Sequence, residues 1–313
     1  MFYPPIKPFH QEWLPVSDGH EIYIEQSGSL EGIPIIYLHG GPGGGSSALY
    51  RSLFDPAKYR IILFDQRGCG QSRPYLSTQA NTTHDLINDI EAIRQHLAID
   101  KWFVTGGSWG TTLALLYAQA FAERVKGMIL RSVFLARQQD IEWLYYPNGG
   151  AACLFPDQYQ HFNRLVKVDE NPIEAYWPKL SSHNELEQLN AARQWALWEY
   201  RISRINFNAN NEADLAEKQN CLPMALLECH YFRHQSFIEE NQILLNMDKI
   251  AHIPATIIHG RYDAVCDLKQ AWSLHQVWSN SHLQIIPEAG HSVAEPGIAK
   301  AFCRASKAFI DIA

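Results

Sequence analysis

The sequence predicts an α/β fold in which a mostly parallel central sheet, covered by helices on both faces, is interrupted by a helical insertion. Short apolar runs that end in glycine, "IPIIYLHG" (33–40) and "YRIILFDQRG" (59–68), are typical of buried parallel strands. A run with helical spacing, "THDLINDIEAIRQHL" (83–97), follows them. After residue 136 the strand pattern stops, and it returns only at "IPATIIHGRYD" (253–263).

The other elements of the first third follow in chain order from the same patterns. "HEIYIEQSG" (20–28) alternates as a strand does, and the Asp18-Gly19 turn before it predicts a hairpin with residues 12–17. Thr82 and Thr83 mark the start of the first long helix. Three further segments complete the alternation of strands and helices that implies a parallel sheet: the strand "WFVTGGSWG" (102–110), the helix "TTLALLYAQAFAERV" (111–125) and the strand "GMILRSV" (127–133).

Residues 137–240 form the insertion. This segment is rich in Trp, Tyr, Gln, Asn and Glu, and its pattern is mainly helical. After the strand at 253–263 come a helix and a further strand, "HLQIIPEAG" (282–290). We therefore expect one α/β domain made of residues 1–136 and 241–313, with residues 137–240 forming a helical cap domain.

The composition argues against several classes of protein. The 313 residues are 46% hydrophobic and 19% charged, and the net charge of −7 without a basic run argues against a nucleic acid partner. No apolar run reaches the roughly 18–20 residues of a membrane span, and the start "MFYPPIKPFHQEW" lacks the pattern of a signal peptide. The six cysteines show no C-x-x-C spacing, which predicts free thiols in a reducing, cytoplasmic compartment and no metal site.

The pentapeptide "GGSWG" (106–110) carries a G-x-S-x-G motif between a predicted strand and a predicted helix. Small residues are needed on both sides of the serine because the tight turn exposes its hydroxyl in a strained conformation. A serine hydroxyl needs an adjacent base to act as a nucleophile. The pattern therefore predicts that Ser108 is a catalytic nucleophile.

The partners of such a serine follow it in chain order as an acid and then a histidine. Asp263 ends the strand "ATIIHGRYD", and His291 follows the strand "HLQIIPEAG", so both lie just past strand ends. His291 would take the Ser108 proton, and Asp263 would fix the imidazole tautomer. The alternatives are Asp267, which has the position of a helix-start residue, and two histidines within strand patterns, His259 and His282.

The glycine run "HGGPGGG" (39–45) follows a predicted strand. It predicts an oxyanion loop, in which a backbone N–H near Gly41 acts together with the N–H of Trp109, the residue after the nucleophile. A phosphate-binding loop is excluded: Gly40 and Gly45 have the required spacing, but Ser46 stands where such a loop requires lysine.

Two glutamates lie inside apolar, aromatic-rich segments. Glu199 lies between Trp198 and Tyr200 in "QWALWEYR", and Glu228 lies in "LECHYF" (227–232). Carboxylates are rarely buried unless they are paired, because desolvation disfavours the charged form. The residues alone leave two interpretations open: the acids lie on the wet faces of amphipathic helices, or they are buried for binding.

Six segments together resemble the proline iminopeptidase (prolyl aminopeptidase) family, which consists of serine peptidases of the α/β-hydrolase fold. The resemblance extends over nearly the whole chain, and "HGGPGGG" joined to "GGSWG" is more specific than a general esterase signature. The segments are "HGGPGGGSS", "FDQRGCGQSRP", "NTTHDLINDIEAIR", "GGSWGTTLALLYAQ", "HGRYDAVCD" and "AGHSVAEPG".

The resemblance implies the roles of the site residues. It implies a triad of Ser108, Asp263 and His291, and an oxyanion hole formed by Gly41 and Trp109. In the family, two glutamates of the helical cap hold the N-terminal imino group of the substrate. The segments "WxxWE" and "LExHYF" that bear them match residues 195–199 and 227–232, so the resemblance implies that Glu199 and Glu228 are this pair. Phe134 and one of Tyr145 and Tyr146 would enclose the pyrrolidine ring, unless they only pack the cap onto the core.

We therefore expect an α/β-hydrolase that releases N-terminal proline from small peptides, without a metal or a cofactor. The alternatives are a broader aminopeptidase or an esterase or amidase on the same fold, and a non-catalytic binding protein that resembles a hydrolase. Cys266, three residues after Asp263, is expected near the site.

Overall fold

The structure is a computed structural model, and it describes residues 2–206 and 217–312. Its strands form one eight-stranded sheet in the order β1-β2-β4-β3-β5-β6-β7-β8. The strands are β1 (His10–Pro15), β2 (Glu21–Gly28), β3 (Ile33–Leu38), β4 (Tyr59–Phe64), β5 (Trp102–Ser108), β6 (Val125–Val133), β7 (Ala255–Gly260) and β8 (Ser281–Ile286).

The strand pairing matches the sequence patterns. β1 and β2 pair antiparallel through a turn in which Asp18 and Gly19 have φ of +59° and +76°, so the predicted hairpin is confirmed. β2 also pairs antiparallel with β4, and all pairs from β4 to β8 are parallel. The parallel strands β3, β4 and β7 are largely buried on both faces, which explains why they read as continuous apolar runs, whereas the edge strand β8 is partly exposed.

Helices cover both faces of the sheet, as the α/β pattern predicts. Thr82 caps the first long helix by accepting the N–H of Asp85, whose carboxylate accepts the N–H of Thr82 in return. The helices of the described residues outside the insertion are α1 (Ala48–Arg51), α2 (Thr83–His96) and α3 (Trp109–Ala120) before it, and three more after it.

The described residues between 137 and 240 form helices joined by loops and no strand, so the predicted mainly helical character is confirmed. Its helices pack on one another through aromatic side chains, and Phe162 stacks on Tyr176 with ring centroids 4.8 Å apart. No helix in the described part of the chain is long and apolar enough to cross a membrane. The described helices of the insertion are α4 (Gln138–Tyr145), α5 (Gly150–Leu154), α6 (Pro156–Phe162), α7 (Pro172–Leu180), α8 (Glu185–Ile202) and α9 (Lys218–Arg233). The three helices after the insertion are α10 (Gln242–Leu245), α11 (Leu268–Gln276) and α12 (Pro296–Phe309).

The parallel strands place their carboxyl ends at one edge of the sheet, beneath α8 and α9 of the insertion. Ser108 ends β5, while Asp263 and His291 follow β7 and β8 within a few residues. Loops at this edge are where open parallel sheets bind ligands. The fold therefore gathers the three predicted catalytic residues from segments far apart in the sequence.

Candidate active site

Ser108 lies at the tight turn between β5 and α3. Its φ of +57° and ψ of −126° are unusual for a residue with a side chain. The turn closes because Gly106 and Gly110 approach each other and the end of β3: a Cβ at Gly106 would collide with the Gly110 carbonyl, and one at Gly110 with the Leu38 carbonyl. The motif thus has the geometry of a nucleophile elbow, with the serine side chain exposed to a cavity.

Asp263 and His291 meet beyond the ends of β7 and β8. The Nδ1 atom of His291 lies 3.0 and 2.9 Å from the two carboxylate oxygens of Asp263. The loop after Asp263 holds this carboxylate, because Oδ1 accepts the N–H of Val265 at 3.1 Å and that of Cys266 at 2.8 Å. The structure therefore brings the predicted acid and base into contact.

The charge of Asp263 fixes the proton of His291. Burial alone would raise the pKa of Asp263, but the neighbouring His291 and the hydrogen bonds to the carboxylate hold that pKa at about 2. The ionised carboxylate only accepts hydrogen bonds, so Nδ1 of His291 carries the proton and Nε2 keeps its lone pair. This is the tautomer that a general base for Ser108 needs.

The alternatives to these two residues make structural contacts, although His259 Nε2 also lies 3.5 Å from the Asp263 carboxylate. Asp267 caps α11, where its side chain accepts the N–H of Lys269 at 3.1 Å. His259 is fully buried in β7: its Nδ1 accepts the N–H of Val133 at 3.2 Å, and burial lowers its pKa. His282 lies within β8, as the pattern indicated.

Ser108 and His291 line the same cavity, but no hydrogen bond joins them in the residues that the structure describes. The Ser108 hydroxyl lies 4.0 Å from the thiol of Cys266, so this cysteine is beside the nucleophile as its position in the sequence suggested. In enzymes without substrate, hydrogen bonds between catalytic groups are often long and tighten only when the substrate binds.

The glycine loop after β3 packs directly against the nucleophile. A Cβ at Gly40 would lie 3.3 Å from the Ser108 Cβ, so a side chain there would crowd the hydroxyl. Gly41 has a φ of +108°, and a Cβ there would lie 2.7 Å from two backbone nitrogens of the same loop. Trp109 begins α3 on the other side, where a helix N-terminus favours negative charge. Gly41 lines the same cavity as Ser108, and Trp109 is the next residue in the chain, so the oxyanion hole formed by their N–H groups stays a prediction.

The cavity has a volume of about 230 Å³ and is lined from the sheet edge and from the insertion. The sheet edge contributes Ser108, His291 and the glycines of the loop. The insertion contributes Glu199 from α8 and Glu228 from α9. Both acids therefore face the cavity that holds the nucleophile, which excludes the interpretation that they lie on wet helix faces.

The two carboxyl groups lie next to the same tyrosine hydroxyl. Glu228 is 1% exposed, and its carboxylate accepts the indole N–H of Trp195 at 2.5 Å. The hydroxyl of Tyr145 donates to Glu199 and lies 3.4 Å from Glu228. Burial raises the pKa of Glu199 and raises that of Glu228 further, and in Glu228 the neighbouring Glu199 adds to the effect. Of the two acids, Glu228 is therefore the one that holds its proton more tightly.

The three predicted aromatic residues take different places. Tyr145 lies beneath the glutamate pair and is fully buried. Phe134 is 4% exposed and packs edge-on against Phe232, with ring centroids 5.8 Å apart. None of the three is among the residues that line the cavity of Ser108. Tyr146 follows the end of α4 with an extended backbone, and its side chain lines a separate cavity with Trp143. Because α4 ends at Tyr145, the side chains of Tyr145 and Tyr146 lie in different surroundings.

Several residues of the site escaped the sequence analysis. Arg131 lines the cavity from β6, and its Nη1 donates to the His291 carbonyl at 2.7 Å. The N–H of His291 donates to the carbonyl of Ser203, at the end of α8, at 2.9 Å. An arginine inside the apolar run "GMILRSV" was the available signal for Arg131; nothing local marked Ser203.

The site contains no apparent place for a metal ion. Across residues 2–206 and 217–312, no group of three or more His, Cys, Asp or Glu side chains is arranged to hold one. The acidic groups at the cavity are instead paired with hydrogen-bond donors or with each other. The arrangement suits nucleophilic catalysis by Ser108 and the binding of a cation by the glutamates.

Comparisons with known proteins agree with the fold. Residues 33–297 match the family model of the α/β-hydrolase fold. A bromoperoxidase from Bacillus anthracis has the same fold with a TM-score of 0.69 and 20% identity, covering 96% of this chain and 100% of that chain. A proline iminopeptidase-related protein from Thermus thermophilus has a TM-score of 0.65 and 19% identity, covering 98% of this chain and 100% of that one.

The sequence relatives are much more similar. A probable proline iminopeptidase of Leptolyngbya boryana is 45% identical over 311 residues, which are 98% of this chain and 96% of that protein. The proline iminopeptidase of Xanthomonas citri is 44% identical over 310 residues, covering 98% of both chains. With such identity over nearly the full length, the chain belongs to the proline iminopeptidase family of α/β-hydrolases.

Proposed function

We propose that this chain is a serine aminopeptidase that releases the N-terminal proline residue from small peptides through an acyl-enzyme. Its relatives bear the name proline iminopeptidase. The observation that carries the proposal is the pair of Glu199 and Glu228, which faces the same cavity as Ser108 and His291. A pair of acids that face a nucleophile, with Glu228 buried and Glu199 partly exposed, suits a substrate that is cationic next to its scissile bond.

The proposed acylation follows from the positions of the groups. His291 Nε2 accepts the proton of Ser108, whose oxygen attacks the carbonyl carbon of the first residue. The backbone N–H groups of Gly41 and Trp109 donate to the oxygen that becomes negative. His291 then gives its proton to the leaving amine, and Asp263 stabilises the imidazolium meanwhile. Water, activated by the same imidazole, releases proline from Ser108.

The glutamate pair determines which peptide bond of the substrate the proposed enzyme cleaves. An N-terminal proline carries a secondary ammonium group two bonds from the carbonyl that Ser108 attacks. An ammonium group between Glu199 and Glu228 relieves the repulsion of two ionised carboxylates. Because the insertion holds the pair at a fixed place above Ser108, only the first peptide bond reaches the nucleophile.

Catalysis and recognition of the first residue would belong to two separate domains. Residues 1–136 and 241–313 would form the catalytic domain, and residues 137–240 the cap that recognises the first residue. Apolar side chains complete the cap side of the cavity, including Ala196 and Met224. The volume of about 230 Å³ is below the roughly 300–1,000 Å³ of typical ligand pockets, which favours small peptides.

We also propose a cytoplasmic location. All six cysteines are free thiols, and five of them are buried. Free buried thiols are usual in a reducing compartment. Fractionation of cells that express the chain with its own termini tests this proposal, and recovery outside the cytoplasm would contradict it.

The direct test of the function is the release of arylamine from proline arylamide by the purified chain and by its Ser108→Ala variant. The variant keeps the Cβ atom at the strained turn, so it retains the fold, which circular dichroism verifies. We expect rapid release by the wild type and none above background by the variant. Substantial peptidase activity in the variant would exclude Ser108 as the nucleophile, and an inactive wild type would contradict the function.

A further inference from the structure

The side-chain amide of Gln66 connects the glycine loop after β3 with the start of α3, the two segments next to Ser108. Gln66 follows β4 and is 2% exposed. Its Nε2 atom donates to the backbone carbonyl of His39, at the start of the glycine loop, at 3.0 Å. Its Oε1 atom accepts the indole N–H of Trp109, the first residue of α3, at 3.1 Å. One buried amide thus connects the glycine loop with the N-terminus of α3.

The chemistry of the partners allows only this orientation of the amide. The indole nitrogen of Trp109 only donates, and the carbonyl of His39 only accepts. If the side-chain oxygen and nitrogen of Gln66 were exchanged, its NH2 group would face the indole N–H of Trp109. Its oxygen would then face the carbonyl oxygen of His39. A glutamate at position 66 would therefore retain the acceptor for Trp109, but its ionised form would present an acceptor to the His39 carbonyl.

The backbone of Gln66 forms a second link to the same loop. Its N–H donates to Nε2 of His39 at 3.0 Å, so the proton of this imidazole is on Nδ1. Burial lowers the pKa of His39, which keeps the ring neutral. The Nδ1 atom lies 2.9 Å from the carbonyl oxygen of Gly40 and donates to it, and this oxygen also accepts the N–H of Gly44 at 3.2 Å.

These contacts determine the direction of a proposed oxyanion donor. The carbonyl of Gly40 and the N–H of Gly41 belong to one planar trans peptide unit, so they point in opposite directions. Hydrogen bonds that hold the Gly40 oxygen therefore also hold the Gly41 N–H. The other proposed donor, the N–H of Trp109, is on the residue whose indole is bound to Gln66.

We infer that Gln66 is a positioning residue of the oxyanion hole: it fixes the Gly41 and Trp109 donors relative to each other while it is not among the residues that line the described cavity. The inference rests on the proposed function, since it takes the two N–H groups as the donors to the oxyanion. Loss of one such donor reduces the rate about 10²–10³-fold. Displacement of a donor should cost less, about 10–100-fold.

The test is the variant Gln66→Glu, compared with Gln71→Glu, which makes the same chemical change at an exposed position of the same loop. We expect Gln66→Glu to lower kcat for proline arylamide about 10–100-fold with KM within twofold of the wild type. Affinity for a prolyl boronic acid, which forms a tetrahedral adduct with the serine, should fall by the same factor. Affinity for free proline, which lacks that adduct, should remain unchanged, and Gln71→Glu should match the wild type in all four values.

A role in packing alone predicts a different result. It would leave kcat and boronic acid affinity within twofold of the wild type, or weaken the binding of boronic acid and proline equally; either result would overturn the inference. If Gln66→Glu does not fold, Gln66→Met provides the same comparison, because it keeps the volume and the backbone bond to His39.

The inference can fail separately from the function. Acylation by p-nitrophenyl acetate needs the oxyanion hole but no amine anchor, so it should also slow about 10–100-fold in Gln66→Glu. If the wild type does not hydrolyse proline arylamide, the proposed function is wrong, and the ester still decides the role of Gln66. An unchanged rate of ester acylation in the folded variant would overturn that role.

Discussion

Glu199 and Glu228 lie on either side of the Tyr145 hydroxyl in the cap, and both face the cavity of Ser108. Two acids rarely share an apolar site, because one ionised carboxylate disfavours the ionisation of the next. Here Trp195 and Tyr145 supply donors to the pair. The proposed function assigns this place to the ammonium group of the substrate, which would relieve the repulsion between two ionised carboxylates.

Replacement of either acid by glutamine should weaken the binding of the free amine. Breaking a buried charge pair costs about 3–5 kcal/mol, so we expect Glu199→Gln and Glu228→Gln to lower kcat/KM for proline arylamide by about 10²–10³-fold, mainly through KM. Acylation by a small neutral ester should change by less than threefold. The matched control is Glu142→Gln, at an exposed position of α4. Equal losses on the amide and on the ester would contradict recognition of the amine.

Glu228→Gln should also change the pH dependence of the free energy of unfolding. Burial and then the neighbouring Glu199 raise the pKa of Glu228 well above its usual value, so the folded protein binds a proton that the unfolded chain releases above about pH 4.5. This contribution to stability is complete below that pH and is lost as the pH rises towards the folded pKa. Glu228→Gln should therefore be more stable than the wild type at pH 8 and not at pH 4.

Thermal unfolding of both proteins between pH 4 and pH 8 measures this effect. For a chain of this size, each kcal/mol regained should raise Tm by about 2 °C. A difference in Tm between wild type and Glu228→Gln that stays constant with pH would show that Glu228 has no raised pKa.

Tyr145→Phe removes the hydroxyl that donates to Glu199. A hydrogen bond to a charged group contributes about 1.5–3 kcal/mol, so kcat/KM for proline arylamide should fall about 10–100-fold while ester acylation is retained. The neighbouring Tyr146→Phe makes the same change at a side chain that lines another cavity, and it should be neutral. If the two variants behave alike, the hydroxyl of Tyr145 does not support the pair.

Asp263→Asn should leave the fold intact and lower kcat by about 10⁴-fold, since an amide in place of the carboxylate no longer selects the catalytic tautomer of His291. Asp267→Asn is the control: this residue caps α11, and asparagine is as good a cap as aspartate. Steady-state kinetics on proline arylamide compares the two variants. A comparable loss in both would mean that the acid of the triad is assigned wrongly.

Much of the fold and part of the site are predictable because their signals are local. The strands that hold Ser108 and Asp263 are apolar runs of the right length, and the elbow needs glycines that the sequence displays. The carboxyl ends of parallel strands share one edge, so residues just beyond them are close in space. His291 follows from the same rule. Local patterns therefore predict the sheet, the elbow and the acid and base.

The remaining features depend on contacts between distant segments. The spacing around Glu199 and Glu228 fits a wet helix face as well as a buried one, and only the packing of α8 on α9 decides between them. Tyr145 and Tyr146 separate because α4 ends between them. Gln66 has no local signal at all, since its partners lie 27 and 43 residues away in the chain.

The central claim is that the glutamate pair anchors the substrate amine, and the most direct measurement is the ratio of kcat/KM for proline arylamide to that for its N-acetylated form. The alanine arylamide, measured beside them, reports the fit of the first residue. We predict a ratio above about 10² in the wild type that falls towards one in Glu199→Gln and Glu228→Gln. A wild type that hydrolyses both forms equally well would contradict the amine anchor and make the protein a general hydrolase.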